Sequence, residues 1–179
     1  MPVFERWIIS KCHDLVIAVT DDIEKYNFGA AGSRIYEVSG RSERQGLKNL
    51  KLNNPLFLLT RSLQFLWDDF ADWYVEISKT RLYEGLKLKG EVFNLEGAKS
   101  SQKVLVYVLD VVLKSLHPFM PFVTEHLYHH LPTRGENENK MLMLAKWPIQ
   151  HGEDSTMLKR DEGAVSEFEL FRKMVKSIR

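Results

Sequence analysis

The chain has 179 residues, of which 44% are apolar and 11% aromatic. This composition supplies enough apolar surface for one sizeable folded domain and excludes a chain that is disordered throughout. The 25 basic and 24 acidic side chains leave a net charge of +1, so any nucleic-acid contact is expected to be local. Because Cys12 is the single cysteine, the chain can form neither an internal disulfide nor a cysteine zinc site.

The composition also bears on the compartment. A single cysteine suits a reducing environment, and no apolar run approaches the roughly 20 residues needed to cross a bilayer. The N-terminal segment MPVFERWIISK is interrupted by Glu5 and Arg6, so it is not expected to be a signal peptide. We therefore expect a soluble intracellular protein, cytoplasmic, or organellar if a full-length chain carries a transit peptide.

The first predicted element is a helix near the N-terminal end of the sequence. Apolar residues from 3 to about 26 recur at three- and four-residue steps, which predicts an amphipathic helix. A second helix is predicted to begin near Phe28. The segment that follows, about 38–64, is basic, contains glycine and is broken by Asn53, Asn54 and Pro55. We interpret it as an atypical insertion in loop conformation with one helical turn.

The tryptophan-rich segment FLWDDFADWYVEISK predicts a helix from 63 to about 82. Its spacing places Phe70, Trp67 and Trp73 in the core. Acidic side chains are interleaved with these rings. They suit the start of a helix and ion pairs with a neighbouring helix better than acid–base chemistry or a divalent-ion site. These acidic residues are Asp68, Asp69 and Asp72.

Two prolines mark a corner in the segment LHPFMPFVTEHLYHHL. Since proline lacks a backbone N–H and fixes φ, Pro118 ends a helix predicted over 102–116, and Pro121 suits the start of the next helix. Ser100 or Ser101 is predicted to cap the first of these helices. The run VLVYVLDVVL is β-branched, but its length and the corner favour a buried helix over a strand.

Beyond the corner we predict a short helix over 125–131, a polar loop, the segment MLMLAKWP and a charged helix over 162–179. Together these elements predict an all-α helix bundle. Helix–turn–helix corners of the kind at the two prolines are typical of such bundles.

The sequence offers weak candidates for a metal site and for catalysis. His126, His129 and His130 share one helical face and are compatible with zinc, but surface or partly packed histidines explain them without a metal. We assign no metal, and interpret His117 as a hydrogen-bonding residue of the corner. The segment KMVKS at 173–177 lies in an amphipathic helical pattern, so we interpret it as part of a helix and not as a catalytic loop. The sequence contains no nucleophile triad signature and no glycine-rich phosphate loop.

Three segments in order, WDDFADWYVEISKTRLY, LHPFMPFVTEHLYHHLP and MLMLAKWP, resemble the anticodon-binding helical domain of class I valyl-tRNA synthetases. The isoleucyl and leucyl enzymes share weaker versions. The resemblance implies a helical bundle over 1–150 and a linker with the start of a helical extension over 151–179. It skips about 38–64, because the family would run almost directly from IYE into FLWDDF. That segment is consistent with an unspliced or mispredicted coding stretch.

The resemblance implies that the partner is tRNA, with tRNA(Val) preferred, and not DNA or a membrane. ATP and magnesium would act in the full-length enzyme, whose catalytic and editing domains, with their HIGH and KMSKS motifs, are not in this sequence. No catalysis is therefore expected from this chain alone. The alternatives are an isoleucyl- or leucyl-tRNA synthetase domain, or a truncated or mispredicted helical fragment that serves only as a scaffold.

The contact face implied by the resemblance lies along the first helices and the WDDFADWYVEISK helix. There Arg34, Lys79 and Arg81 are expected to contact phosphates or bases, and Phe70 to stack on a base, with a core position as the alternative for Phe70. Three further lysines would add an edge that follows the RNA backbone. Affinity is expected to be weak and sensitive to salt, since the net charge is near zero. These lysines are Lys99, Lys103 and Lys114.

Overall fold

The computed structural model describes residues 1–24, 62–85, 95–132, 141–148 and 160–178. Within these ranges the chain is helical and has no strand, which confirms the all-α prediction. The helix predicted near Phe28 and most of the predicted insertion lie outside the described residues. In chain order the elements are α1 (Val3–Glu24), the π-helix π1 (Phe65–Val75), α2 (Glu76–Gly85), α3 (Leu95–Leu116), α4 (Pro121–His129), a 3₁₀ turn (Leu142–Leu144) and α5 (Glu162–Ile178).

The core lies where α1 packs against α3, π1 and α5. Each of these helices turns a stripe of apolar side chains toward α1, and full burial of one such side chain contributes about 1.5–3 kcal/mol. Burial also raises the pKa of the Cys12 thiol to about 12, so this cysteine is a small apolar core residue. The most deeply buried apolar residues are Trp7, Ile8, Cys12, Val19, Tyr74 and Val108.

The structure confirms the proline corner. Helix α3 ends at Leu116, and Pro121 occupies the first turn of α4. His117 Nδ1 lies 2.9 Å from Thr124 Oγ1, and the Thr124 hydroxyl donates to the carbonyl oxygen of Met120 at 2.8 Å. These bonds join the end of one helix to the first turn of the next, so His117 is the corner hydrogen-bonding residue that was predicted.

The prediction that Trp67 lies in the core is wrong, since its side chain is 68% exposed. The reason is that residues 65–75 form a π-helix, in which hydrogen bonds run from i to i+5 and widen the turn. Residues five apart, such as Phe65 and Phe70, then share the buried face, which α-helical spacing does not allow. Trp73 is partly buried against the core.

The predicted cap at Ser100 or Ser101 is also wrong. Helix α3 begins at Leu95, so both serines lie inside it, and α2 extends to Gly85. A serine within a helix can direct its hydroxyl to a partner other than the free N–H groups of a helix start. Here both hydroxyls donate to the carboxylate of Glu5 on α1.

Helix α5 packs along α1 and carries part of the core. The Trp7 and Phe168 ring centroids are 4.2 Å apart. The Arg172 guanidinium bonds Asp69 of π1 at 2.6 Å, so Asp69 makes an ion pair with a neighbouring helix. Desolvation raises the pKa of Asp69, and the Arg172 charge opposes that rise. The division of the chain at residue 150 stays a prediction.

The start of α5 is capped and attached to α1 by Asp161. Asp161 Oδ1 accepts from the main-chain N–H of Ala164 at 2.9 Å, and Oδ2 accepts from Arg6 Nη1 at 2.6 Å. The main-chain N–H of Asp161 donates to Ser10 Oγ at 2.9 Å. This is an aspartate N-cap whose partners outside the helix all lie on α1.

This cap predicts how stability depends on pH. The Ala164 N–H, together with Arg6, stabilises the ionised carboxylate and holds the pKa of Asp161 below its ordinary value of 3.8. Its contribution is therefore fully present above that value and is lost as pH falls through the lowered pKa of the folded state. We expect Asp161→Ala to reduce the melting temperature at neutral pH by about 2–4 °C. The difference from the wild type should shrink below about pH 4.

The measurement is thermal unfolding by circular dichroism at neutral and acidic pH. Asp161→Asn is the matched variant, because asparagine also caps helices but has no charge to pair with Arg6. It should lie between the wild type and Asp161→Ala at neutral pH. A melting-temperature difference that stays constant down to strongly acidic pH would contradict the assigned role of the charge.

Candidate nucleic-acid interface

Three of the four predicted RNA-contact residues fall on the continuous helix formed by π1 and α2, while Arg34 lies outside the described residues. Phe70 is buried in the core, with its ring centroid 5.9 Å from that of Tyr74. A base can stack only on a ring face that solvent reaches. In this structure Phe70 is therefore a core residue and is not available for stacking, which corrects its assignment as a stacking candidate.

Lys79 and Arg81 point to different sides of α2. Residues two apart on an α-helix do not face each other. Lys79 is on the outer face, where its ammonium bonds Glu76 at 2.5 Å, and this hydrogen bond raises the pKa of Lys79. Arg81 is mostly buried and turns inward toward α1 and α3. The two cations thus do not form one patch.

Arg81 is held by a fully buried carboxylate. Glu5 Oε1 accepts from Arg81 Nη1 at 2.7 Å and from Ser101 Oγ at 2.7 Å, and Glu5 Oε2 accepts from Ser100 Oγ at 3.0 Å. The guanidinium carbon also lies 5.8 Å from the ring centroid of Phe4. This network, the Glu5 node, joins α1, α2 and α3, and it fixes the guanidinium where these helices meet.

The Glu5 node affects the neighbouring phenol as well. Tyr74 Oη donates to the carbonyl oxygen of Ser101 at 3.4 Å. Burial raises the pKa of Tyr74, the Glu5 charge raises it further, and Arg81 opposes the rise. Tyr74 is therefore neutral at physiological pH and serves as a structural hydrogen-bond donor.

The three lysines proposed to follow the RNA backbone also differ in their exposure to solvent. Lys99 and Lys103 are exposed on α3, the helix that packs against α2. Lys114, whose side chain is only 20% exposed, bonds Asp110 at 2.6 Å one turn earlier on α3. Among the described residues of these two packed helices, Lys79 on α2 and Lys99 and Lys103 on α3 are thus exposed cations.

Sequence reasoning missed two residues of this region. Glu5 was treated only as a charge that interrupts an apolar segment, and its partners lie more than 70 residues away in sequence. Tyr83 was not considered, although it follows Lys79 by one helical turn, and the structure leaves it 57% exposed. Helical spacing from Lys79 was the signal that could have found Tyr83.

The three histidines at the end of α4 contact other side chains and the main chain. His129 Nε2 lies 3.2 Å from Glu125 Oε1, and the His126 and His130 rings stand 4.8 Å apart. Among the described residues, no group of three or more histidine, cysteine, aspartate or glutamate side chains could hold a metal ion. Glu125 instead accepts the main-chain N–H of Leu142 at 2.9 Å and fixes the 3₁₀ turn.

The MLMLAKWP segment is attached to the bundle at two points. Its first end is held by that bond to α4, and Trp147 Nε1 donates to Thr20 Oγ1 of α1 at 2.9 Å. MLMLAKWP therefore contacts LHPFMPFVTEHLYHHLP, a second segment that carries the family resemblance, and it also contacts α1. Across the ranges described, no helix combines the length and the apolarity that crossing a membrane requires.

The all-helical arrangement agrees with a match between this sequence and a known protein family. Residues 44–179 match the family model described as the anticodon-binding domain of tRNA ligase. The chain belongs to this family. The match covers π1 and every helix from α2 to α5. It begins inside the segment 38–64, which the sequence resemblance had skipped.

Curated proteins that are similar to this chain in sequence are also named as tRNA ligases. A valine–tRNA ligase of Enterococcus faecalis is 32% identical over 177 residues, which are 99% of this chain and 15% of that protein. A valine–tRNA ligase of Arabidopsis thaliana, named chloroplastic/mitochondrial 2, is 35% identical over 179 residues, 100% of this chain and 14% of that protein. The chain thus spans about one seventh of the length of these relatives.

Proposed function

We propose that this anticodon-binding domain binds tRNA, with tRNA(Val) as its cognate, and positions it for a valine–tRNA ligase. The observation that carries the proposal is the family match over residues 44–179, supported by relatives named valine–tRNA ligase. An all-helical bundle with a solvent-facing helix can present side chains to the unpaired bases of an RNA loop. In this chain α2 is that helix, and Lys79 lies on its outer face.

The charge distribution supports a weak, local contact. Lys79, Lys99 and Lys103 are exposed on two helices that pack against each other, while the whole chain carries a net charge of +1. Arg81 can contribute through the donors that Glu5 leaves unused, and Arg34 remains part of the proposal from sequence alone. A few phosphate contacts of this kind give affinities of about micromolar or weaker at moderate salt.

Aminoacylation would belong to other parts of a longer protein. We propose that ATP and magnesium act there together with catalytic and editing domains, because the similar proteins are valine–tRNA ligases several times longer than this chain. The compartment follows that of the longer protein. One relative is named for chloroplasts and mitochondria, and others are bacterial, so we propose a cytoplasmic or an organellar protein.

Binding of the 179-residue chain to tRNA tests this proposal. We expect a tRNA(Val) transcript to bind more tightly than the same transcript with an altered anticodon, and binding to weaken from about 50 to about 200 mM salt. Lys79→Gln should reduce the slope of log affinity against log salt by about 0.7, the value for one single-strand phosphate contact. Filter binding or fluorescence anisotropy measures both quantities.

Lys176→Gln on α5 is the matched control, because Lys176 is also exposed but lies on the helix that packs along α1. It should leave the salt slope unchanged. Equal affinity for the normal and altered anticodons would contradict anticodon recognition by this chain. No binding to any tRNA would favour the alternative of a helical fragment that acts only as a scaffold.

A further inference from the structure

The outer face of α2 carries an exposed aromatic ring beside a cation. Lys79 and Tyr83 are four residues apart, so they are neighbours on one face of the helix. Tyr83 is 57% exposed, while Ser78 and Arg81 of the same helix turn toward the bundle. Lys79 is exposed on this face, where its ammonium bonds Glu76 one turn earlier at 2.5 Å.

An exposed aromatic ring next to a cation is the arrangement that proteins use to hold single-stranded RNA. The ring stacks on an unpaired base, and the cation pairs with the adjoining phosphate. Every base has a π-face, so such a platform supplies affinity with little dependence on base identity. Phe70 cannot fill this role because it is buried.

The other large exposed ring of the same continuous helix lies in a different environment. Trp67 is 68% exposed. Its neighbours three and four residues away, which include Leu63 and Gln64, carry no positive charge. A stacking platform for RNA also needs a cation for the adjoining phosphate, so exposure of a ring alone does not make an RNA site there.

We propose that Tyr83 is the base-stacking residue of this domain and that Lys79 contacts the phosphate beside the stacked base. This assignment rests on the proposed tRNA-binding function and names a side chain through which it acts. It places the RNA loop along the outer face of α2, the helix that packs against α3.

The test uses the 179-residue chain and a fluorescently labelled RNA stem-loop that carries the anticodon loop of tRNA(Val). We expect Tyr83→Ala to weaken binding about tenfold, the effect typical of losing one stacked base. Tyr83→Phe keeps the ring and should bind within about twofold of the wild type. Trp67→Ala is the control, since it removes a larger exposed ring and should also stay within about twofold.

Two further readouts separate stacking from charge and from folding. Tyr83→Ala should leave the salt slope unchanged, whereas Lys79→Gln lowers it. Replacing the loop nucleotides one at a time by abasic residues should identify one position at which Tyr83→Ala causes no further loss. The variants should have the same melting temperature as the wild type, because Tyr83 is exposed.

The outcomes distinguish this assignment from the function on which it rests. If the wild type binds the stem-loop and Tyr83→Ala binds equally well, the stacking assignment is wrong while tRNA binding stands. Equal losses in Tyr83→Ala and Trp67→Ala would overturn it too. If the wild type binds neither stem-loop nor tRNA, the proposed function fails first, and the assignment fails with it.

Discussion

Replacing Glu5 with alanine is expected to lower the free energy of unfolding by about 3–5 kcal/mol, because one partner of a buried ion pair is removed. The Glu5 carboxylate is fully buried and accepts hydrogen bonds from Arg81, Ser100 and Ser101. Without it, a mostly buried guanidinium loses its counter-charge and two serine hydroxyls lose their acceptor. Leaving such groups without partners costs far more than a surface ion pair contributes.

Urea unfolding followed by far-UV circular dichroism measures this loss. Glu24→Ala is the matched control, because Glu24 is an exposed glutamate on the same helix and should change stability by about 0.5 kcal/mol or less. The double variant Glu5→Leu with Arg81→Met should recover most of the loss, since an apolar pair can replace a buried ion pair. A loss below about 1 kcal/mol in Glu5→Ala would contradict the assigned role of the node.

The elements that the sequence predicted correctly share a local cause. The corner at Pro121 follows from the missing N–H and fixed φ of proline, which act wherever the residue is placed. Helix α1 is present over Val3–Glu24, the described part of the predicted range, because its apolar spacing follows the ordinary α-helical period over six turns. Local rules of this kind need no knowledge of the neighbouring helices.

The errors arose where tertiary contacts or an unusual helix override the local pattern. Trp67 was placed in the core by α-helical spacing, but the π-helix turns it to solvent. Ser101 was interpreted as a cap because serine favours helix starts, whereas it supplies a hydroxyl to Glu5, 96 residues earlier. No pattern within a window of 20 residues contains that pairing.

For the candidate interface, the sequence predicted a helix but did not separate its two faces. The resemblance selected the helix that carries Lys79 and Arg81, and positive charge alone does not show that the two point apart. Applying helical spacing within the segment would have separated them and linked Lys79 to Tyr83. The inward orientation of Arg81 depends on Glu5, which only the folded structure reveals.

Phe168→Ala is expected to destabilise the whole bundle by about 3–5 kcal/mol, the usual cost of truncating a buried phenylalanine. The Phe168 side chain is 6% exposed and packs 4.2 Å from Trp7 and 6.1 Å from Trp73, between centroids. The Arg172 guanidinium covers the same two indoles at 5.4 and 5.1 Å. The truncation therefore opens a cavity between α5, α1 and π1 rather than at the rim of the molecule.

Phe171→Ala on the same helix is the matched control, because its ring is 49% exposed and makes only edge and tilted contacts. It should cost about 1 kcal/mol. Urea unfolding monitored separately by tryptophan fluorescence and by circular dichroism also bears on the proposed division at residue 150. If α5 belongs to the cooperative unit, both probes should show one transition that shifts in Phe168→Ala. If α5 is instead the start of a separate extension, α5 of the variant should unfold at a lower urea concentration than the rest, and the main transition should keep its midpoint.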